Sequence, residues 1–500
     1  MKVSSRLSRY ILSLLVVIGA LIFTNQAFAD STDDADTTFD YVKGELVVSV
    51  EADSQDNSMH STNDVMISSA ALEQDGFHVS DSLLDSIQSG ASTMSADFKA
   101  NVAEQMGMVY LIEYSENDYE NSDQAKEELQ TSLEDMGMDV RYVQENYTMH
   151  ALEQASETVE PMDVHPDQEW NYDMINAPEA WDTTPGSSET SIAVLDTGID
   201  ADHQNLSDYV DTEAGKSFVG GDTSDGQGHG THVAGTIASY GDVSGVMEEA
   251  TLIPVKVLDD NGSGSMYDIQ EGITYAAGEG ADVINMSLGG GGYDQGMEEA
   301  IETANSEGTI VVAASGNDGM EQVSYPAAYD GAVAVGSVDS DEQRSDFSNY
   351  GPELDVMAPG SDIYSTVPGD GYEKMSGTSM ATPHIAGVMG LIRSADPDIS
   401  VDDARSVLND TAQDAGSENE YGNGIADAAA AVQEADNGDG GEDPDPEDPD
   451  DPDVPNWEAY TFYDVGDEVV YDGEEYVCEV AHYSSPGWEP PYDPLYWSEK

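Results

Sequence analysis

Three short motifs place an acid, a base and a nucleophile in chain order: Val194-Leu195-Asp196-Thr197-Gly198, then Gly228-His229-Gly230-Thr231-His232-Val233-Ala234-Gly235, then Gly377-Thr378-Ser379-Met380-Ala381. A serine hydroxyl is a poor nucleophile at neutral pH. It needs an imidazole to take its proton, and that imidazole needs a carboxylate to fix its tautomer and stabilise its cation. Asp196, His229 and Ser379 have the residue types for that chemistry. A metal reading competes for the histidines. His229 and His232 stand three apart on a helix start, as two ligands would, but no recognisable motif supplies the remaining partners of a zinc site.

The elements that must carry these residues are visible in the patterning. From Glu189 onward, short Val/Ile/Ala-rich runs at 191–195, 252–258, 282–286, 309–314 and 331–337 alternate with helix-period stretches such as 266–278 and 294–307. Apolar runs of strand length predict strands buried on both faces, so the expected class is α/β, a parallel sheet flanked by helices. Asp196 then falls at the carboxyl end of a strand, the edge where such sheets present functional groups. Helices are expected after His229, Ser379 and Val401. Upstream, residues 30 to about 100 are Asp- and Ser-rich without a clear pattern. Met108 to Tyr114 reads as a strand, Ser122 to Met136 as a helix with Ser122 as its N-cap, and Asp139 to Val143 as a second strand, together a small α+β unit.

The chain has 500 residues with 14 Lys+Arg against 102 Asp+Glu, a formal net charge of −88. So few cations cannot assemble the basic patch that phosphate recognition requires, which excludes a nucleic-acid binder. Acidity spread along the chain repels itself unless screened, and at molar salt the Debye length is about 3 Å, so adaptation to concentrated salt is expected. The single cysteine, Cys478, permits no intramolecular disulfide and reads as a small buried apolar residue. Residues 1–29, with Lys2, Arg6 and Arg9, an apolar run from Ile11 to Phe23 and then Ala27-Phe28-Ala29, read as a secretory signal peptide. The run is shorter than the ~20 residues of a membrane span, so a secreted mature form without a membrane segment is expected. Residues 436–455 form an acidic Pro-Asp tract that reads as a stiff spacer, and the aromatic-rich residues 456–500 read as a small all-β module.

The three motifs and their order resemble the subtilisin-like serine proteases, the standard example of the order Asp, His, Ser. The resemblance spans roughly residues 165–435 and includes Asn285-Met286-Ser287-Leu288-Gly289-Gly290, Ala313-Ala314-Ser315-Gly316-Asn317, Tyr325-Pro326-Ala327 and Gly351 through Gly360. It implies that Asp196 orients, His229 acts as general base and then acid, and Ser379 attacks the peptide carbonyl to form an acyl-enzyme. Asn317, with the backbone N–H of Ser379, would form the oxyanion hole, and Ser287-Leu288-Gly289 would pair with the substrate backbone as an added strand. No cofactor is required for this chemistry. Structural calcium is common in the family. Here Ala238 to Val246 is shorter than a form carrying the usual calcium loop, and Asn205 stands where an acidic ligand is commonly found, so that site is expected to be absent or altered. The abundant carboxylates leave room for structural calcium elsewhere, with no ligands assigned. An esterase of the α/β-hydrolase type would instead present Gly-x-Ser-x-Gly and the order Ser, Asp, His.

Two flanking segments carry resemblances of their own. Val140 to Tyr147 followed by Met149-His150-Ala151-Leu152 resembles the inhibitory propeptide of these proteases. It implies that residues 30–160, with an inhibitor-like unit at about 105–150, form a propeptide that leaves its tail in the active site until self-cleavage within 150–168. Residues 456–500 resemble small chitin-binding modules, with Trp457, Trp488 and Trp497 as carbohydrate-binding candidates, since aromatic faces stack on sugar rings. The frequent pair of adjacent tryptophans is missing around Ala481-His482-Tyr483, and the same aromatics would serve as the core of so small a module. The expected molecule is a monomeric, secreted, salt-adapted serine endopeptidase made as an autoprocessed precursor. It would act on protein substrates, be inhibited by its own propeptide, and bind chitin or a related polysaccharide. The alternative, a polysaccharide-binding or adhesion protein on an inactive protease-like scaffold, predicts a degraded triad, whereas Asp196, His229, Ser379 and Asn317 are all present.

Overall fold

A computed structural model describes residues 40–51, 72–73, 76–87, 94–119, 121–152 and 166–438, together with short strands between 462 and 499. The signal-peptide reading, Trp457 and Trp488 lie outside the described residues, as does the spacer beyond residue 438. Two compact units divide the chain, residues 1–438 and 439–500. No helix among the described residues is long and apolar enough to cross a membrane.

The N-terminal part of the first unit is an antiparallel sheet of β1 (Tyr41–Val50), β2 (Phe77–Ser82), β3 (Met108–Tyr114) and β4 (Val140–Ala151), in the order β4-β1-β3-β2. Side chains alternate across a strand, so each face finds its own partner. Leu46, Val48, Val50 and Ile112 pack with Ala125, Leu129 and Leu133 of a helix, Ser122–Asp135, while Val47 and Val109 join the larger core of the chain. Two further helices, Leu83–Ile87 and Ala96–Gln105, also join that core. We number these helices α1 (Leu83–Ile87), α2 (Ala96–Gln105) and α3 (Ser122–Asp135). The cap of α3 is one residue earlier than the sequence predicted. Asn121 has extended backbone and its side chain accepts from Gln124 N, whereas Ser122 is already helical and donates to Glu145 Oε1 at 3.0 Å.

The larger part is the expected parallel sheet. Its strands β5 (Gly186–Asp196), β6 (Lys216–Ser217), β7 (Glu249–Lys256), β9 (Val283–Met286), β11 (Ile310–Ala314), β12 (Ala332–Val338) and β13 (Val356–Pro359) run in the order β13-β12-β11-β9-β5-β7-β6, every pairing parallel. The chain leaves β5 toward β7 on one side and returns to build β9 on the other. That reversal opens a crevice at the carboxyl ends of the strands. Flanking helices are α4 (Pro166–Met174), α5 (His229–Ile237), α6 (Met266–Gly278), α7 (Gln295–Ser306), α8 (Thr378–Ala395), α9 (Val401–Asp410) and α10 (Ala428–Gly438). α6 begins with a reciprocal capping box between Ser265 and Asp268. α10 carries helix three residues into the tract read as a spacer. A hairpin of β14 (Ile363–Val367) and β15 (Gly371–Met375) completes the fold. Two short strands, β8 (Ser263–Ser265) and β10 (Leu288–Gly289), pair not with the parallel sheet but with the end of β4.

In the second unit, β16 (Phe462–Tyr463) pairs with β19 (His482–Tyr483), and β17 (Glu468–Tyr471), β18 (Glu474–Cys478) and β20 (Trp497–Glu499) form an antiparallel sheet. Val469, Tyr476, Cys478 and Trp497 make its core. Trp497 is 2% exposed, so of its two readings it takes the structural one, and Cys478 is buried as expected.

Candidate active site

Asp196 ends β5, and its Oδ1 accepts the backbone N–H of Thr197 at 2.7 Å. Both carboxylate oxygens face His229 Nδ1, at 2.8 and 2.9 Å, and both residues are fully buried. A carboxylate at Nδ1 keeps the proton there, which leaves the lone pair on Nε2, the atom a general base must use. His229 is the first residue of α5. Gly228 before it has a positive φ of 114°, and a Cβ on Gly230 would stand 2.2 Å from the carbonyl oxygen of Gly198. Only glycines let this helix start so close to the end of β5.

Ser379 is the second residue of α8, where the helix dipole favours negative charge. Its Oγ donates to the Ser287 carbonyl at 2.8 Å, and Ser287 Oγ donates in return to the Ser379 carbonyl at 2.9 Å. That carbonyl is free because residue 383, four positions on, is a proline with no N–H. The Pro383 of the third motif thus ties the serine to the end of the added-strand segment.

Asn317 sits in the turn after β11. Its Oδ1 accepts from both Thr378 N (2.9 Å) and Thr378 Oγ1 (3.0 Å), which fixes the amide so that Nδ2 points outward as a donor. Nδ2 donates at 2.7 Å to the carbonyl of Leu152. Leu152 follows β4, whose end is held between two short strands. Thr148, Met149 and His150 pair with Ser265, Gly264 and Ser263, while His150 and Ala151 pair with Gly289 and Leu288. Ala151 N donates to Gly262 O at 2.9 Å, and Leu152 N reaches Ser287 O at 3.4 Å. The Leu152 side chain lies over Gly289, where a Cβ would stand 2.8 Å from its Cδ1. Ser287, Leu288 and Gly289 therefore do pair with an extended peptide, and the peptide is the chain's own.

Other residues weighed from the sequence fall elsewhere. Asp200 accepts from the backbone of Asp202 and Gly369 and makes no bond to His229. His232 Nε2 faces the carbonyls of Ile363 (2.9 Å) and Glu373 (3.2 Å), so it carries a proton. Burial, with the nearby His229, lowers its pKa to about 3. A nitrogen spent on carbonyls is no metal ligand. His384 is held by Met380 O and Asn171, and burial lowers its pKa to about 4, a structural role as read from its motif.

The loop at 238–246 does not fit a calcium ion. Asn205 Nδ2 donates to the Tyr240 carbonyl at 3.0 Å, and Asn205 Oδ1 accepts the Tyr372 hydroxyl. The Ser244 carbonyl takes Gln168 Nε2 (3.0 Å) and the Tyr172 hydroxyl, and the Val246 carbonyl takes Trp181 Nε1 (2.8 Å). A calcium site needs several oxygens converging with lone pairs turned inward. Here the carbonyls meet N–H and O–H donors instead.

Sequence reasoning did not foresee the acidic face that the N-terminal sheet covers. Arg141 of β4 pairs with Glu299 at 2.5 Å, and Asn146 Oδ1 accepts the backbone N–H of Tyr267. Beside them burial raises the pKa of Asp268 and of Asp294 to about 6, and of Glu271 to about 8. These residues look like ordinary helix-surface acids in the sequence, and only the covering sheet distinguishes them.

Comparison with known proteins accords with this geometry. The Subtilase family model matches residues 187–424, and that of Carbohydrate-binding module family 5/12 matches residues 456–498. An alkaline protease of Alkalihalobacillus alcalophilus is 38% identical over 361 residues, covering 67% of this chain and 94% of that protein. Subtilisin Savinase of Lederbergia lenta is 44% identical over 269 residues, 53% of this chain and 98% of that one. Alkaline elastase YaB of Bacillus sp. (strain YaB) is 43% identical over 269 residues, 53% of this chain and 70% of that one. Identity of this order along nearly the full length of a protease, on a fold that gathers acid, imidazole and serine motifs at one sheet edge, leaves a single assignment: the chain belongs to the subtilase family of serine endopeptidases.

Proposed function

We propose that this chain is the precursor of a secreted, salt-adapted endopeptidase that matures by cutting its own Leu152–Glu153 bond. The observation that carries the reading is the Leu152 carbonyl, held by Asn317 Nδ2 while residues 150–152 lie along Ser287–Gly289. Ser379 Oγ turns from the Ser287 carbonyl to the carbonyl carbon of Leu152 as His229 Nε2 takes its proton, and Asp196 stabilises the resulting imidazolium. The negative charge on the carbonyl oxygen is met by Asn317 Nδ2 and the Ser379 N–H. His229 then protonates the departing amine of Glu153, and water resolves the acyl-enzyme by the same steps reversed. The cut falls inside the 150–168 interval expected from sequence.

Residues 30–152 are then the propeptide, with β4 occupying the cleft as an inhibitor after cleavage, and residues from about 165 to 435 are the catalytic domain. The leader at 1–29 supports secretion, the charge of −88 supports salt adaptation, and the match to a carbohydrate-binding family supports retention on chitin or a related polysaccharide. Trp457 and Trp488 are the aromatic candidates for that surface.

The purified precursor and its Ser379→Ala variant, compared in high salt by casein hydrolysis and by mass spectrometry, test this reading. The parent is expected to hydrolyse casein and show a new N-terminus at Glu153, and the variant to stay full length and inactive. Undiminished activity in the variant would mean another nucleophile, and a different N-terminus would overturn the assignment of Leu152. Removing residues 456–500 should abolish retention on chitin and spare hydrolysis of soluble peptides. Equal retention would count against the tether.

A further inference from the structure

Between the strand of the acid and the helix of the base lies a buried carboxylate that the reaction above does not use. Asp225 is 9% exposed, in the turn Ser224-Asp225-Gly226-Gln227-Gly228. Its Oδ1 accepts from Thr197 Oγ1 (2.9 Å), Gln227 N (2.9 Å) and Gly228 N (2.8 Å). Its Oδ2 accepts from Thr231 N (2.9 Å) and Thr231 Oγ1 (2.6 Å). An ionised carboxylate is acceptor-only, with about four lone-pair sites, so these donors fill it.

The donors come from two places that the chemistry must hold in register. Thr197 is the residue after Asp196, while Gln227, Gly228 and Thr231 bracket His229. Thr197 is tied twice more. Gly230 N donates to its Oγ1 at 3.0 Å, and Lys256 Nζ, on the neighbouring strand β7 and only 5% exposed, donates to its carbonyl. A closed circuit thus runs from Asp196 through Thr197 and Asp225 to the start of α5 and back across the Asp196–His229 contact.

We propose that Asp225, acting through Thr197, is a positioning residue that sets the distance and angle between the Asp196 carboxylate and the His229 ring. It governs turnover rather than substrate binding, because the peptide in the cleft bonds residues 262–265 and 287–289, and Asp225 bonds none of them. The proposal rests on the reading of Asp196, His229 and Ser379 as the catalytic groups. A carboxylate is required for a simple reason. An amide in its place turns an NH₂ toward Thr231 N or toward Gly228 N and Gln227 N, donor against donor, and the circuit opens. Displacement of a reacting group by about 1 Å costs on the order of 10²-fold in rate.

The test uses mature enzyme in high salt, with competent serines counted by the burst from a chromogenic acylating ester and kcat and KM then measured per counted site. Asp225→Asn and Thr197→Val are each expected to lower kcat by about 10- to 100-fold, with KM within about threefold of the parent. Thr197→Ser keeps the hydroxyl and should stay within about twofold of the parent kcat. A purely structural role would lower the number of competent sites but not kcat per site. Should Asp225→Asn fail to fold, the Thr197 pair decides. Either Asp225→Asn or Thr197→Val turning over like the parent, or Thr197→Ser falling as far as Thr197→Val, overturns the proposal. A parent that shows no burst would overturn the catalytic reading beneath it, a distinct result.

Discussion

Asn205 shows how one atom decides what a loop requires. Its Nδ2 brings an N–H to the Tyr240 carbonyl, where a carboxylate in the same place would bring a second acceptor and demand a cation between them. We expect Asn205→Asp, placed in a Ser379→Ala background to prevent autolysis, to lower the melting temperature by a few degrees in EDTA, from a lost hydrogen bond of about 1–3 kcal/mol, and to recover with added calcium. The chain without the Asn205 change should melt alike in both. If it too falls in EDTA by the same amount, a cation holds the fold and the loop does not close itself. At this scale the sequence was informative wherever chemistry forces a residue type. Asp196, His229, Ser379 and Asn317 stand in motifs with little freedom; the structure sets Asp196 against His229, Asn317 against the Leu152 carbonyl and Ser379 against the Ser287 carbonyl. Asp225 was hidden by the commonness of its setting, since an aspartate among glycines is the ordinary composition of a turn. Leu152, the residue proposed above for self-cleavage, was hidden because such a residue is marked by where it docks, and nothing in its own side chain announces that.

Among the elements, the docking of the N-terminal sheet on α6 and α7 carries a pH dependence. Glu271 is faced by Asp81 of β2 and Ser86 of α1, by Asp268 and Tyr267 of its own helix, and by Lys216 of β6, whose Nζ donates to the Ser86 carbonyl at 2.6 Å. Burial under the sheet raises Glu271 to about 8 and Asp268 and Asp294 to about 6, so the docked state holds protons that uncovered carboxylates would release. The sign follows directly. Docking is strongest below the ordinary carboxylate range and weakens as pH rises through about 6 and then about 8, by up to about tenfold per pH unit for each group. Once the chain is cut at Leu152 as proposed, the share of the N-terminal segment that co-elutes with the catalytic domain should therefore fall between mildly acidic and alkaline buffer. Glu271→Gln should flatten the upper part of that fall, and a pH-independent share would refute the link. The elements differ in how readable they were. Strands β5, β7, β9, β11 and β12 announced themselves because both faces are buried, whereas β2 is Phe-His-Val-Ser-Asp-Ser with only Phe77 buried and gave no signal. β1 is apolar only over its last part, and its two faces pack against different partners, which erased the alternation a half-buried strand would show.

For the whole molecule the governing quantity is −88. Among the described residues, several of the few cations are committed to particular structural bonds: Lys126 with Glu145, Arg141 with Glu299, Lys256 with the Thr197 carbonyl, Arg393 with the Ile399 and Gly308 carbonyls, Arg405 with Asp355. They pin local geometry and leave the general repulsion among carboxylates to be screened by solvent ions. Circular dichroism and peptide hydrolysis are expected to fall together as NaCl is diluted from molar to about 0.1 M, where the Debye length reaches about 10 Å. Signals that stay level across that dilution would show that packing alone carries the charge. Because β4 pairs both with β1 of the N-terminal sheet and with β8 and β10 beside the candidate active site, the proposed self-cleavage would tie the specificity of the enzyme to the sequence of residues 149–152 over generations. On the proposed self-cleavage, a substitution that reshapes the cleft around Gly289 alters which peptides are cut, and the first of them is Met149-His150-Ala151-Leu152. A lineage acquiring a new diet must rewrite both stretches together, and an engineer who changes one will find the defect in yield before finding it in activity.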